Sequence, residues 1–153
     1  MPTTRISYTV KRLESAVRSH LDVICREYGV TTTQYTVLSV LRVNPGLSSA
    51  QLAVRSFVSP QSSNQMVAAL ESADLIQRAP DKVNRRILKA RLTPKGRRIL
   101  ASCDSAVHGL ETLMFTGLGD ADLALLRRTL NQCIRNLSSG VDPPARRDRS
   151  APT

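Results

Sequence analysis

The stretch Gln77–Arg98, QRAPDKVNRRILKARLTPKGRR, decides how this chain is read. It carries nine basic side chains (Arg78, Lys82, Arg85, Arg86, Lys89, Arg91, Lys95, Arg97 and Arg98) against one acid, Asp81. Its pattern is that of a hairpin. Leu75-Ile76-Gln77-Arg78 starts an extended piece, Pro80 to Asn84 is a polar turn, and Arg86 to Leu92 can return as a strand. Directly before it, Pro60 to Asp74 contains no Lys or Arg. Ser59-Pro60 marks a helix start there, with Ser as N-cap and Pro at the first helical position. On a helical wheel Ser63, Met66, Val67 and Leu70 share about 100° of arc, and Gln61, Ser62, Asn64 and Gln65 fall opposite them. One side therefore packs and the other is free to touch something.

Working outward, Ser48-x-x-Gln51 is a capping box that opens a short helix through Leu52, Ala53 and Phe57. Asn44-Pro45-Gly46 before it is a turn. Thr31-x-x-Gln34 is another capping box, opening a helix with the stripe Tyr35, Val37, Leu38 and Leu41. Ile6, Val10, Leu13, Val17, Leu21 and Ile24 form one apolar stripe on a first helix that Gly29 ends. On the other side, Thr93-Pro94 caps a helix carrying Ile99, Leu100, Val107, Leu110, Leu113 and Met114, broken at Gly117 to Gly119. Asp120 opens a last helix whose Leu123, Leu126, Leu130, Cys133 and Leu137 make an a/d seam.

The spacing predicts a mainly α chain with a small β-hairpin wing, a winged helix-turn-helix flanked by N- and C-terminal dimerisation helices. The expected segments are 1–30 (N-terminal dimerisation helix), 31–92 (winged helix-turn-helix), 93–138 (C-terminal dimerisation helices) and 139–153, a disordered tail without apolar periodicity. The terminal helices carry apolar stripes with no core of their own to join, which points to a homodimer built from the termini.

A length of 153 residues suits a single core, and the net charge of +10 points to a polyanion or an anionic surface. No apolar run approaches the length of a membrane span, and Met1–Tyr8 lacks the layout of a secretory signal. Three cysteines, Cys25, Cys103 and Cys133, show no metal-ligand spacing, so a reduced, cytoplasmic protein without a metal or cofactor is expected. Two Phe, three Tyr and no Trp argue against stacking platforms for single strands. A neutral polar helix beside a basic hairpin is the arrangement that reads base edges while gripping phosphates.

The ordered set of these features resembles the multiple-antibiotic-resistance regulator (MarR) family of winged-helix transcription factors. The residues that carry the likeness are Thr31-Thr32-Thr33-Gln34-Tyr35-x-x-Leu38, Ser49-Ala50-Gln51-Leu52-Ala53, Ser59-Pro60-Gln61-Ser62 through Leu70-Glu71, Leu75-Ile76, Asn84-Arg85-Arg86 and Leu92-Thr93-x-x-Gly96-Arg97. The resemblance spans about residues 6 to 138. It implies an obligate homodimer with intertwined first and last helices, the fourth helix in a major groove and the wing in the adjacent minor groove. It also implies a small phenolic or aromatic-acid effector between the dimer helices and the reading heads. Three positions depart from the family pattern. Asn84 stands where the wing usually has Asp, Gln65 where the reading helix often has Arg, and Asp74 where Gly is usual.

The expected DNA contacts are Gln61, Ser62 and Gln65 on base edges, with Asn64 further round and Ser59 acting chiefly as cap. Gln65 favours adenine. Arg86, matching the family's wing arginine, is the minor-groove candidate, with Arg85 second and Lys82 beside them. The helix N-termini at Ser48 and Ser59 offer N–H groups to phosphate, and Arg55 adds charge. The competing reading makes the basic run a solvated turn whose Arg85 or Arg86 pairs with Asp81 or another carboxylate. His20 sits on the apolar stripe and reads either as a satisfied core histidine or as a ligand contact, and Arg18 and Tyr35 are weaker ligand candidates. Cys25 and Cys133 read as core, and Cys103 stays open. No acid–base constellation, nucleophile motif or phosphate loop is present, so an enzyme is not expected. The expected function is a sequence-specific, ligand-relieved repressor on a pseudo-palindromic duplex operator. A winged-helix protein-interaction module and a cysteine-based redox-sensing regulator are the alternatives.

Overall fold

The computed structural model describes residues 5–138, and the expected tail over 139–153 lies outside the described residues. The elements run α1 (Ile6–Glu27), α2 (Thr32–Val43), α3 (Ser49–Arg55), α4 (Pro60–Ser72), β1 (Ile76–Pro80), β2 (Leu88–Leu92), α5 (Pro94–Met114) and α6 (Asp120–Ser138). This is the mainly helical, winged-helix order expected. No helix among the described residues is long and apolar enough to cross a membrane.

The chain divides into two units, Met1–Glu111 and Thr112–Thr153. In the first, the core draws on every element. Cys25 closes it from α1, Val30 from the turn that follows, Val37, Leu38 and Leu41 from α2, and Leu52 from α3. Val67 and Leu70 of α4, Ile76, Ala90 and Leu92 of the hairpin, and Leu100 and Cys103 of α5 complete it. Truncating a fully buried leucine such as Leu38 to Ala removes about 2–5 kcal/mol in a site of this kind. In the second unit α6 buries no residue. Cys133, expected in the core, is exposed on this helix.

The helix ends follow their sequence signals. Thr31 and Ser48 each accept the N–H of the residue three on (Gln34 and Gln51), whose side chain binds back to the cap N–H, so both capping boxes are closed. Gly29 adopts φ +74°, letting Gly29 N–H reach Arg26 O and Val30 N–H reach Cys25 O. These two bonds satisfy carbonyls that the end of α1 would otherwise leave open. Phe57 departs from expectation. It is not part of α3, which stops at Arg55, and its φ of +56° turns the side chain outward.

β1 and β2 pair antiparallel from Ile76↔Leu92 to Pro80↔Leu88. The ladder extends on the other side of β2, where Ala90 N–H donates to Leu47 O and Gly46 N–H donates to Ala90 O. The turn before α3 is thus tied directly to the wing. The base of the wing is held to α5 by Thr93. Its N–H donates to Leu75 O (3.1 Å), its hydroxyl donates to Asp74 O (2.6 Å), and it accepts the Gly96 N–H (2.9 Å). Gly96 is required by space. A Cβ there would stand 2.0 Å from Leu75 O.

Candidate nucleic-acid interface

α4 presents two chemically different sides. Ser63, Val67 and Leu70 are buried, and the Ser63 hydroxyl donates to Ser49 O (2.8 Å), fixing α4 on α3. Gln61, Ser62, Asn64 and Gln65 are all exposed. Ser59 serves as cap, its Oγ accepting Ser62 N–H (3.1 Å) and donating to Ser62 Oγ (2.9 Å). Gln61, Asn64 and Gln65 make no side-chain bond among the described residues, so their donors and acceptors are available to a partner.

The C-terminus of α4 resolves the Asp74 departure. Asp74 itself takes the left-handed conformation, φ +58°, that glycine adopts without strain. Its N–H donates to Glu71 O and Leu75 N–H donates to Leu70 O, while Leu70 and Leu75 are both buried. This is the paired-bond helix stop with its usual apolar contact.

The nine cations of the basic stretch separate into structural and unengaged groups. Arg78 binds Glu71 through Nε (2.9 Å) and Nη2 (2.5 Å), joining β1 to α4. Lys89 pairs with Asp81 (2.7 Å). Lys95 donates to Ala73 O (3.0 Å) and Arg97 to Leu92 O (3.0 Å). The Lys89 ammonium, with the Asn84 N–H, holds the Asp81 carboxyl below its ordinary range, and Arg78 does the same for Glu71. Among the described residues, Lys82, Arg85 and Arg86, exposed at the hairpin tip, and Arg91 and Arg98, exposed further along, make no side-chain hydrogen bond or ion pair. The pairing of Asp81 with an arginine is therefore not what forms. Lys89 takes that carboxylate instead.

The tip is ordered by its backbone. Asp81 N–H donates to Ile87 O (2.8 Å), and Ile87 N–H to Asn84 O (2.9 Å). Asn84 N–H donates to Asp81 Oδ2 (3.2 Å), and Asn84 Oδ1 accepts Arg86 N–H (3.2 Å). Asn84 thus keeps the hydrogen-bonding part of the role an aspartate would have, without its charge. Ser48 is engaged as a cap, and Arg55 donates to Asn44 Oδ1 (3.3 Å) from an exposed position.

The three ligand candidates have different surroundings. Arg18 pairs with Glu14 on the surface of α1 (2.8 Å), and His20 is exposed rather than buried in the stripe. Tyr35 donates its hydroxyl to Asp104 Oδ1 (2.9 Å), and Arg42 ion-pairs with the other oxygen of that carboxylate. Burial, then the Asp104 hydrogen bond, pushes the Tyr35 phenol up to about 12. Sequence reasoning missed Arg42 and Asp104, which clamp α2 to α5. Tyr35 and Arg42 lie two helical turns apart on one face, which was visible, but their carboxylate lies 62 positions beyond Arg42, which was not. Cys25 and Cys103 are both buried. Burial raises the Cys25 thiol and pushes that of Cys103 up to about 11, opposite to what a reactive thiolate needs.

Comparison with known proteins fits this geometry. Residues 28–87 match the model of the MarR family. A Thauera aromatica protein assigned to transcriptional regulation of the hcr operon is 34% identical over 122 residues, covering 77% of this chain and 74% of that protein. The HTH-type transcriptional repressor Rv2887 of Mycobacterium tuberculosis is 28% identical over 113 residues, 74% of this chain and 81% of the repressor. Among solved structures, the transcriptional repressor CouR on a 23-mer DNA duplex superposes with a TM-score of 0.78 at 26% identity, covering 86% of this chain and 93% of CouR. CouR of Rhodococcus jostii RHA1 has also been solved bound to p-coumaroyl-CoA, with a TM-score of 0.76 at 22% identity, covering 86% of this chain and 92% of that one.

Proposed function

Because the chain belongs to the MarR family of transcriptional regulators, we propose that it is a homodimeric, cytoplasmic repressor that binds a pseudo-palindromic duplex operator and is released by a small aromatic or phenolic ligand. The observation that carries this reading is the uncharged, exposed face of α4 next to a wing whose Lys82, Arg85 and Arg86 have no side-chain partner among the described residues. Gln61, Ser62 and Gln65, with Asn64 at the margin, meet base edges in the major groove, and the amide of Gln65 suits adenine. Arg86 enters the adjacent minor groove, with Arg85 and Lys82 on phosphates. The helix N-termini at Ser48 and Ser59 supply N–H groups to the backbone, and Arg55 adds charge.

Segments 1–30 and 93–138 serve dimerisation around the reading head 31–92. Supporting this, α1 exposes Ile6, Val10 and Leu13, and α6 separately exposes Leu125, Leu130, Ile134 and Leu137. Two heads then address successive major grooves about 34–36 Å apart. A ligand releases DNA only by favouring a head spacing that does not fit, and only by its difference in affinity for the two spacings. The known ligand of CouR, an aromatic acyl thioester, supports an aromatic effector, with His20, Arg18 and Tyr35 as residues to test for its binding.

A salt titration on duplex DNA tests the reading. Three tip cations per protomer, two on phosphates and one in the minor groove, bring about six positive charges per dimer onto the duplex and displace counterions accordingly, giving a log–log slope of about −5. One selected site should also bind at least a thousandfold more tightly than random duplex at fixed salt, roughly the lower bound for specific regulators. Equal binding to all sequences, or none, would instead favour a winged-helix module for protein contacts.

A further inference from the structure

Phe57 occupies the turn between α3 and α4 in a conformation that a large L side chain rarely adopts, φ +56°, and its side chain is 94% exposed. The left-handed turn itself ends α3, with Val58 N–H donating to Ala53 O, but that task calls for no phenyl ring, and the exposure of the ring does not help the fold. Glycine would make the same turn without strain, and a buried Phe would remove apolar surface from water. The turn is fixed from both sides. Ser56 N–H donates to Leu52 O (2.8 Å), Val58 N–H donates to Ala53 O (3.1 Å), and Ser56 itself is buried. Phe57 is thus held outward on a braced backbone, two residues before the Ser59 cap of the reading helix. Consecutive Cα atoms are about 3.8 Å apart, so its Cα lies within about 7.6 Å of that of Ser59.

We propose that Phe57 is a specificity-determining DNA contact whose ring packs on the C5-methyl of a thymine flanking the bases read by α4 in each half-site. The inference rests on the operator-binding reading above. The polar side chains of α4 can read donors and acceptors, but a phenyl ring has neither. The one apolar mark on a major-groove base edge is the thymine methyl. An aromatic on this braced backbone, at the entry of the reading helix, supplies the matching surface, and a large side chain kept where glycine would serve the turn is the strained feature that calls for a function.

The test uses the full-length protein. Its preferred duplex is selected from a random pool, and each thymine is then replaced singly by deoxyuridine, which deletes only the methyl. One thymine per half-site is expected to cost the wild type about fourfold in affinity, the value of one buried methyl group. Phe57→Gly is expected to melt no earlier than the wild type, to bind the selected duplex more weakly, and to be indifferent to that one methyl while remaining sensitive elsewhere. An unchanged affinity and deoxyuridine profile in Phe57→Gly would overturn the inference and leave the operator reading standing. So would a loss of equal size on selected and random duplex. If the wild type enriches no duplex at all, the operator reading fails and this contact with it.

Discussion

Gly96→Ala places a methyl group where the structure has a backbone. The new Cβ would lie 2.0 Å from Leu75 O, 2.9 Å from its carbonyl carbon and 3.3 Å from its Cα. None of these atoms belongs to a flexible side chain, so α5 and the strand entry must separate by more than about 1 Å to reach ordinary contact. Overpacking of this kind costs about 1–3 kcal/mol. The separation also stretches the Thr93 N–H bond to Leu75 O, now 3.1 Å, and the Thr93 hydroxyl bond to Asp74 O, now 2.6 Å, worth about 0.5–1.5 kcal/mol each. The better helix propensity of alanine returns at most about 1 kcal/mol. The expected net loss is roughly 2–3 kcal/mol. With a urea slope of about 2 kcal/mol per molar, the midpoint should fall by about 1 M. Equilibrium urea unfolding followed by far-UV circular dichroism, at a fixed protomer concentration, measures this directly. An unchanged midpoint would refute the argument that this glycine is there for space.

Asp74→Gly should act in the opposite direction, raising stability by about 0.5–1 kcal/mol, because glycine takes φ +58° without the crowding an L side chain meets. A lowered midpoint in the same urea assay would show that the aspartate does something the helix stop does not explain. Arg86→Ala should weaken operator binding at least tenfold and make the salt slope shallower by about 2 per dimer, with the dimer still folded by circular dichroism. Unchanged affinity would place the wing away from DNA. Gln65→Ala should reduce preference for the selected site more than it reduces binding to random duplex, read by competition fluorescence anisotropy, whereas equal losses would make Gln65 a backbone contact. Tyr35 gives a pH prediction. Its phenol, pushed up to about 12 from an ordinary value of about 10, supports the fold while protonated. That contribution is complete below pH about 10 and lost as pH rises through about 12. Tyr35→Phe should remove a tyrosinate absorbance step near pH 12 and flatten the fall in stability across that window. If the step persists in the variant, the assignment to Tyr35 is wrong.

Local signals carried most of the fold. Thr31 with Gln34, and Ser48 with Gln51, each place a cap and its return bond within four residues, so both helix starts were legible. The Ser59-Pro60 start and the two faces of α4 were legible for the same reason. What escaped depended on backbone bonds or distant partners. Apolar spacing aligns Phe57 with Ala53 one turn earlier, yet a left-handed residue at that point rotates the ring away from the core. The wing turn runs on to Ile87 because Asp81 and Asn84 bind its backbone, which charge patterning does not reveal. Of the basic stretch, Arg78, Lys89, Lys95 and Arg97 were counted with the DNA-facing charge but are engaged internally. His20 and Cys133, placed by apolar spacing on stripes expected to be buried, are both exposed.

The separation of duties on α4 bears on how such a molecule changes over generations. Ser63, Val67 and Leu70 anchor the helix, and Gln61, Asn64 and Gln65 hold nothing in place. Residues at those three outward positions can be exchanged at little cost to folding, so if they read bases as proposed, new addresses on a genome are reachable by single steps through stable intermediates. Architecture and vocabulary drift independently here, and a duplicated copy could acquire a different target before losing its shape.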